Sequence, residues 1–161
     1  NEAYFSRADG HWWHGDLIEL TGSQGACGGI VVHGRSDATL KPGGVRIGTA
    51  EIYRIVESLP EVEDSIVVGQ PWRGDIRVVL FVELAANLTL GDELRDSIRN
   101  WIRQEASVRH VPSLIIQVPE IPYTRSGKKV ELAVRAIVCG DEPTNRESLV
   151  NPGSLDSFEK L

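Results

Sequence analysis

Residues 62–84 read VEDSIVVGQPWRGDIRVVLFVEL, which is two short apolar runs on either side of a polar connection. The runs Ile66–Val68 and Val78–Val82 are rich in β-branched residues and have the length of buried strands. The connection, Pro71–Asp75, contains the proline and glycine that are typical of a hairpin turn. This segment therefore predicts two adjacent antiparallel strands at the centre of the fold.

Amphipathic helices flank these strands in the sequence. Apolar residues recur at helical spacing over about 49–59 and again over 91–107, and a shorter helix is predicted at 130–138. A third strand is predicted at 113–118. The order of elements from Val45 onward indicates an α+β domain in which helices flank a three-stranded sheet.

A β-hairpin precedes this domain, with strands predicted at 16–20 and 29–33. Two strands do not bury a core by themselves, so the hairpin is expected to be the edge of a neighbouring domain. We therefore expect residues 1–36 to end that domain. Residues 37–140 would form a small C-terminal domain, and 141–161 would be a tail.

Composition excludes several functional classes. The chain is 41% hydrophobic and 25% charged, as is usual for globular proteins, and it has no apolar run of the roughly 20 residues needed to span a membrane. The net charge of -6 argues against nucleic-acid binding. Two cysteines, Cys27 and Cys139, favour a reducing compartment, so a cytoplasmic location is expected. There is no methionine, and both processing and excision from a longer protein would explain this.

The first candidate site follows the hairpin. Residues 34–37 and 41–48 are dense in glycine and cations, and glycine allows the backbone to approach a ligand closely. Arg35 and Arg46 are able to donate paired hydrogen bonds to phosphate or ribose oxygens. A basic surface turn is an equally open interpretation. Asp37 lies at the expected domain junction, where a hinge residue is needed.

Two further segments carry candidate residues. Residues 124–129, TRSGKK, form a glycine-containing loop in which Lys128 could stabilise developing negative charge. The loop lacks the spacing of a P-loop, and an ordinary surface lysine is the alternative. Asp16, in the segment His14-Gly15-Asp16, could accept hydrogen bonds from both hydroxyls of a ribose, although such residues commonly cap turns.

Taken in order, these segments resemble the adenylate-forming acyl-CoA synthetase superfamily. The motifs that carry the resemblance are HGD at 14–16, GRSD at 34–37, GVRIGTAEI at 44–52 and TRSGK at 124–128. Residues 122–131, PYTRSGKKVE, and the tail segment from Asn145 to Phe158 are similar to the acetoacetate-activating branch. Acetyl- and propionyl-activating enzymes share the phrase GTAE and remain the nearest alternative.

The resemblance implies a two-step ligase. The carboxylate of acetoacetate would attack the α-phosphate of Mg-ATP, giving an acyl-adenylate and pyrophosphate. The small domain would then swing, and the thiol of coenzyme A would displace AMP.

The resemblance also implies a role for each matched residue. Asp16 and Arg35 would hold the ribose hydroxyls, Asp37 would be the hinge, and Lys128 would bridge the substrate carboxylate and ATP. The residues implied on the coenzyme A side are Gly44, Arg46 and Arg103. Because the family is often controlled by acetylation of the loop lysine, the resemblance also makes Lys128 a candidate for acetylation.

Finally, the resemblance implies that half of the site lies elsewhere. The phosphate loop and acyl pocket of such enzymes belong to a larger N-terminal domain of the same protein. The isolated chain is thus expected to be inactive, to hold no ATP, Mg²⁺ or coenzyme A by itself, and to bind no nucleic acid or membrane. The rival interpretation is a free-standing α+β module that binds a nucleotide or a partner protein without catalysis.

Overall fold

The computed structural model describes residues 10–11, 14–22, 28–143 and 146–159. Within them, an antiparallel hairpin of β1 (Asp16–Thr21) and β2 (Gly29–Arg35) precedes a three-stranded sheet. The strands of that sheet are β3 (Val62–Trp72), β4 (Asp75–Leu84) and β5 (Leu114–Gln117), in the order β3-β4-β5. The α-helices are α1 (Thr49–Val56), α2 (Asp92–Glu105) and α3 (Glu131–Val138). The predicted α+β class, its three-stranded sheet and the separate hairpin are confirmed.

The central hairpin is tighter than the sequence predicted. Trp72 pairs with Asp75, so only Arg73 and Gly74 form the turn, and both have positive φ, 51° and 84°. Such two-residue turns match the twist of antiparallel strands. Strand β3 continues through Pro71, although that residue was expected in the turn. Proline is tolerated there because β3 is an edge strand.

Strand β4 is buried on both faces. Val78, Leu80 and Val82 pack into a core with α1 and α2, whereas Val79 and Phe81 enter a second core with α3. Successive side chains of a strand point to opposite faces, so a strand covered on both sides needs a continuous apolar run. This explains why the segment 78–82 contains no polar residue.

The segment after α3 completes the second core. It forms short 3-10 turns at Arg146–Ser148 and Pro152–Ser157, for which the sequence showed no period. Leu155 and Phe158 are fully buried, and the Phe158 ring meets that of Phe81 edge to face with centroids 4.7 Å apart. The tail is therefore packed against the sheet as a part of the small domain.

The β1–β2 hairpin keeps its apolar side chains largely exposed. Leu20 is 73% exposed, Ile30 64% and Val32 56%. A two-stranded ribbon does not bury its own faces. The hairpin is attached to the rest of the described structure mainly through helix α1.

We predict that Phe158→Ala lowers the free energy of unfolding by about 3–5 kcal/mol, because it opens a cavity against Phe81. Chemical denaturation followed by circular dichroism measures the change. Leu132→Ala is the matched control, since Leu132 is half exposed on α3 and its loss should cost no more than about 0.5 kcal/mol. Equal losses for the two variants would show that the tail is not part of the core.

Candidate functional site

The hairpin places the two predicted ribose-binding residues side by side. Asp16 is the direct register partner of Arg35 across the β1–β2 ladder. The Gly15 carbonyl accepts hydrogen bonds from the Ser36 backbone N–H at 2.7 Å and from the Ser36 hydroxyl at 2.9 Å. A Cβ added at Gly15 would lie 3.2 Å from Nη2 of Arg35, so a residue without a side chain suits this crossing. The two motifs are thereby joined, although they are about twenty residues apart in the chain.

Arg35 also pairs with the predicted hinge residue. Its Nε and Nη2 donate to Oδ1 and Oδ2 of Asp37 at 3.0 and 2.7 Å, which is a two-point guanidinium–carboxylate contact. The hydrogen bond from Arg35 lowers the pKa of Asp37 below its ordinary value. Arg35 is therefore held by the carboxylate of Asp37 in this structure. Two of the guanidinium nitrogens predicted to meet a ribose are already paired with that carboxylate.

A cavity joins three of the predicted residues. Its volume is about 270 Å³, and Arg35, Asp37 and Lys128 all line it, together with parts of α3 and the tail residue Leu149. Complete pockets for small molecules usually measure about 300–1,000 Å³. The cavity is thus smaller than a complete nucleotide site. Arg35 at the end of β2 and Lys128 in the loop before α3 bring positive charge to it. Asp16 lies beside it without lining it.

The Lys128 loop is an ordered turn. Tyr123 and Lys129 form a β-bridge at its base, and the Thr124 N–H donates to the Lys128 carbonyl at 2.9 Å. The Lys128 N–H donates to Oγ1 of Thr124 at 3.1 Å. Gly127 has a φ of 74°, a conformation that favours glycine. The turn leaves the Lys128 side chain exposed at the rim of the cavity.

Lys129 has a different environment from its neighbour. Its Nζ lies 2.5 Å from Oε1 of Glu57, 2.5 Å from Oδ1 of Asp64 and 2.6 Å from the Ser65 carbonyl. It also lies 4.3 Å from the centre of the Tyr53 ring, and its side chain is only 15% exposed. Leaving this place would strand two carboxylates without their cation, which is costly when they are partly buried. Both lysines line the cavity, but the Lys129 ammonium is held by carboxylates, whereas the Lys128 side chain is exposed.

The ion pairs of Lys129 were not predicted from the sequence. Glu57 and Asp64 are 72 and 65 residues from Lys129, so no local pattern connects them. One signal was available: Asp64 is a charged residue within a strand that is otherwise largely apolar. A partly buried carboxylate in such a strand needs a partner.

The GTAE phrase joins the hairpin to helix α1. Oε1 of Glu51 accepts from the Gly48 N–H at 3.0 Å, which closes the first turn of the helix. The same carboxylate contacts His33 on β2 and His110 beyond α2, at 3.5 and 3.2 Å. A Cβ at Gly48 would lie 2.3 Å from the His33 carbonyl oxygen, so only glycine permits this approach. This motif therefore organises the junction between the hairpin and the small domain.

The residues predicted on the coenzyme A side lie apart from the cavity. Gly44 has a φ of 78° in the 3-10 turn Pro42–Gly44, with open space where a side chain would begin. Arg46 follows it and is exposed. Arg103 is exposed on α2, where its Nη1 donates to Oδ1 of Asn100 at 2.8 Å. None of these three lines the cavity that Lys128 borders.

Other kinds of site find no support in the part of the chain that the structure describes. No group of three or more His, Cys, Asp or Glu side chains in that part could hold a metal ion. No helix there is long and apolar enough to cross a bilayer. Cys139 is a free, exposed thiol, whereas Cys27 and Asn145 lie outside the described residues.

Comparisons with known proteins find relatives that match nearly the whole chain. Residues 51–128 match the family described as AMP-binding enzyme C-terminal domain. The chain is 56% identical over 159 residues to an acetoacetyl-coenzyme A synthetase of Rhizobium meliloti (strain 1021), covering 99% of this chain and 24% of the relative. It is 47% identical over 162 residues to an acetoacetyl-CoA synthetase of Danio rerio, covering 100% and 24%. The solved acetoacetyl-CoA synthetase from Streptomyces lividans superposes with a TM-score of 0.83 at 40% identity, covering 99% and 24%.

These findings define the class of protein. Residues 51–128 form an AMP-binding enzyme C-terminal domain, and the fold of the chain is that of a solved acyl-CoA synthetase over 99% of its length. Its homologues are acetoacetyl-CoA synthetases. The chain spans about a quarter of the length of these relatives. The resemblance inferred from the motifs is confirmed.

We predict that an amine-acetylating reagent modifies Lys128 at least about tenfold faster than Lys129 in the folded chain. Freeing Lys129 requires breaking charge-assisted hydrogen bonds worth about 1.5–3 kcal/mol each. Peptide mass spectrometry over a time course measures both rates, and the urea-unfolded chain is the control in which the rates should converge. Equal rates in the folded chain would contradict the protection of Lys129 by its ion pairs.

Proposed function

We propose that this chain is the C-terminal part of an ATP-dependent acetoacetate–CoA ligase and acts together with an N-terminal domain of the same protein. The observation that carries the proposal is the cavity in which Arg35, Asp37 and Lys128 meet. The choice of acetoacetate is supported by relatives named acetoacetyl-CoA synthetase that match the whole chain. On this proposal residues 1–36 end the N-terminal domain, 37–140 form the lid, and 141–161 are its tail.

In the first half-reaction the acetoacetate carboxylate attacks the α-phosphate of Mg-ATP, and pyrophosphate leaves. Negative charge builds up on the phosphate oxygens in the transition state, and the Lys128 ammonium is the group suited to stabilise it. Asp16 and Arg35 hold the ribose hydroxyls. Because Arg35 pairs with Asp37 in this structure, ribose binding would compete with that ion pair and so be coupled to the hinge.

In the second half-reaction the thiol of coenzyme A attacks the acyl carbonyl carbon and AMP leaves. Gly44 and Arg46 face this reaction after the lid has turned, and Arg103 meets the nucleotide phosphate of coenzyme A. These residues do not line the Lys128 cavity, which supports the use of two lid orientations. Turning the lid at Asp37 would separate His33 on the hairpin from Glu51 on α1.

The remaining parts of the site belong to the N-terminal domain in this proposal. The acyl pocket and the phosphate loop lie there, and Mg²⁺ enters with ATP. The cavity at Lys128 measures about 270 Å³, which is less than a complete small-molecule pocket, and the isolated chain is expected to lack ligase activity. We place the protein in the cytoplasm, because a chain with only two cysteines suits a reducing compartment.

We predict that Lys128→Ala, introduced into the longer protein, lowers the rate of acyl-adenylate formation by about 10²–10³-fold, because one charge-stabilising group is lost. Thioester formation from supplied acetoacetyl-adenylate should be retained. Pyrophosphate release and thioester formation measure the two steps separately. Arg54→Ala is the control, since Arg54 is an exposed cation on α1 that does not line the cavity. A parallel fall in both half-reactions would exclude the assigned role.

Asp37→Pro tests the hinge. Proline fixes φ near -65°, so it should hold one lid orientation and slow one half-reaction by about tenfold or more while sparing the other. Asp37→Ala is the control that removes the Arg35 ion pair but leaves the backbone free to turn. Unchanged rates of both steps in the proline variant would place the pivot elsewhere.

A further inference from the structure

One carboxylate touches both ends of the Lys128 loop. Oδ2 of Asp64 accepts from the Tyr123 hydroxyl at 2.6 Å, and its Oδ1 lies 2.5 Å from Nζ of Lys129. Tyr123 and Lys129 are also the two residues that form the β-bridge at the base of the loop. Both ends of the loop formed by residues 124–128 are thus held by one side chain, that of Asp64 on strand β3.

The strand that carries Asp64 supports its contacts with Tyr123 and Lys129. Asp64 lies on β3, is paired with Glu83 on β4, and its side chain is only 18% exposed. The next residue, Ser65, is fully buried and offers its carbonyl to Lys129. The carboxylate is therefore attached to a strand of the central sheet, and sites supported by strands are held more accurately than sites supported by loops alone.

Each partner of Asp64 is itself restricted. Burial raises the pKa of Tyr123, and the hydrogen bond to Asp64 raises it further. The Tyr123 hydroxyl is therefore a donor at neutral pH. Lys129 is also held by Glu57, whose Oε1 accepts in addition from the Ser65 hydroxyl at 2.8 Å. The ammonium group neutralises two carboxylates that would otherwise repel each other.

We propose that Asp64 is a positioning residue for Lys128 in the adenylation step. It fixes Tyr123 and Lys129, and thereby the point on the backbone from which Lys128 projects into the cavity. This inference rests on the proposed function. Small displacements of a catalytic group cost much rate, so a clamp at the base of the loop affects turnover more than ligand affinity.

The test is Asp64→Asn in the longer protein. Asparagine keeps the volume of the side chain and an acceptor for Tyr123, but it removes the charge that holds Lys129. We expect kcat for acyl-adenylate formation to fall about tenfold with KM for ATP changed less than about twofold. Thioester formation from supplied acetoacetyl-adenylate should be unchanged. Acetylation of Lys129 should become faster, and Asp64→Glu should restore part of the adenylation rate.

Two controls separate positioning from general stability. Asp92→Asn removes a carboxylate from an exposed ion pair with Arg95 and should leave both half-reactions unchanged. Ile98→Val loosens the core beneath α2, away from the loop, and should lower the melting temperature without favouring either half-reaction.

The outcomes are distinguishable. A normal adenylation rate in Asp64→Asn, with an active wild type, would refute this inference alone. An equal fall in both half-reactions that follows the melting temperature, as in Ile98→Val, would reduce Asp64 to a stabilising residue and also refute it. A wild-type protein that forms no acyl-adenylate would instead refute the proposed function, and this role with it.

Discussion

Burial of strand β4 on both faces is the constraint on which the small domain depends. Its five consecutive apolar residues enter two separate cores, so each face of the sheet must be covered by other elements. Helices α1 and α2 cover one face, and α3 together with the tail covers the other. Every loop that carries a candidate functional residue begins or ends on an element held in place by one of these cores.

The position of Lys128 follows from this arrangement. Its loop connects the segment after β5 to helix α3, which both belong to the second core. The polar contacts of Lys129 and Tyr123 with Asp64 attach the base of the loop to the sheet itself. The tip of the loop stays exposed while its base is held. On the proposed function this suits Lys128, whose side chain moves with the lid and must reach the same position in each turnover.

The junction with the hairpin has a different character. Two of its polar contacts can be exchanged, that of Arg35 with Asp37 and that of Glu51 with His33. Ion pairs and hydrogen bonds near the surface contribute little net stability, so replacing them with others costs little. A junction of this kind is compatible with rotation of the small domain, whereas the apolar packing within the domain is not.

The types of the elements can be predicted from the sequence, because strands and helices depend on local periodicity and turn residues. The runs in 62–84 predicted the central hairpin, and the ordered motifs made Arg35, Asp37 and Lys128 candidates for the site. Which residues meet depends on the packing of the whole domain. Phe158 of the tail packs against Phe81, Lys129 is held in ion pairs while Lys128 is exposed, and Arg35 pairs with Asp37. The physical reason is that burial and ion pairing depend on residues far apart in the chain, such as Asp64 and Lys129, which only the packed sheet brings together.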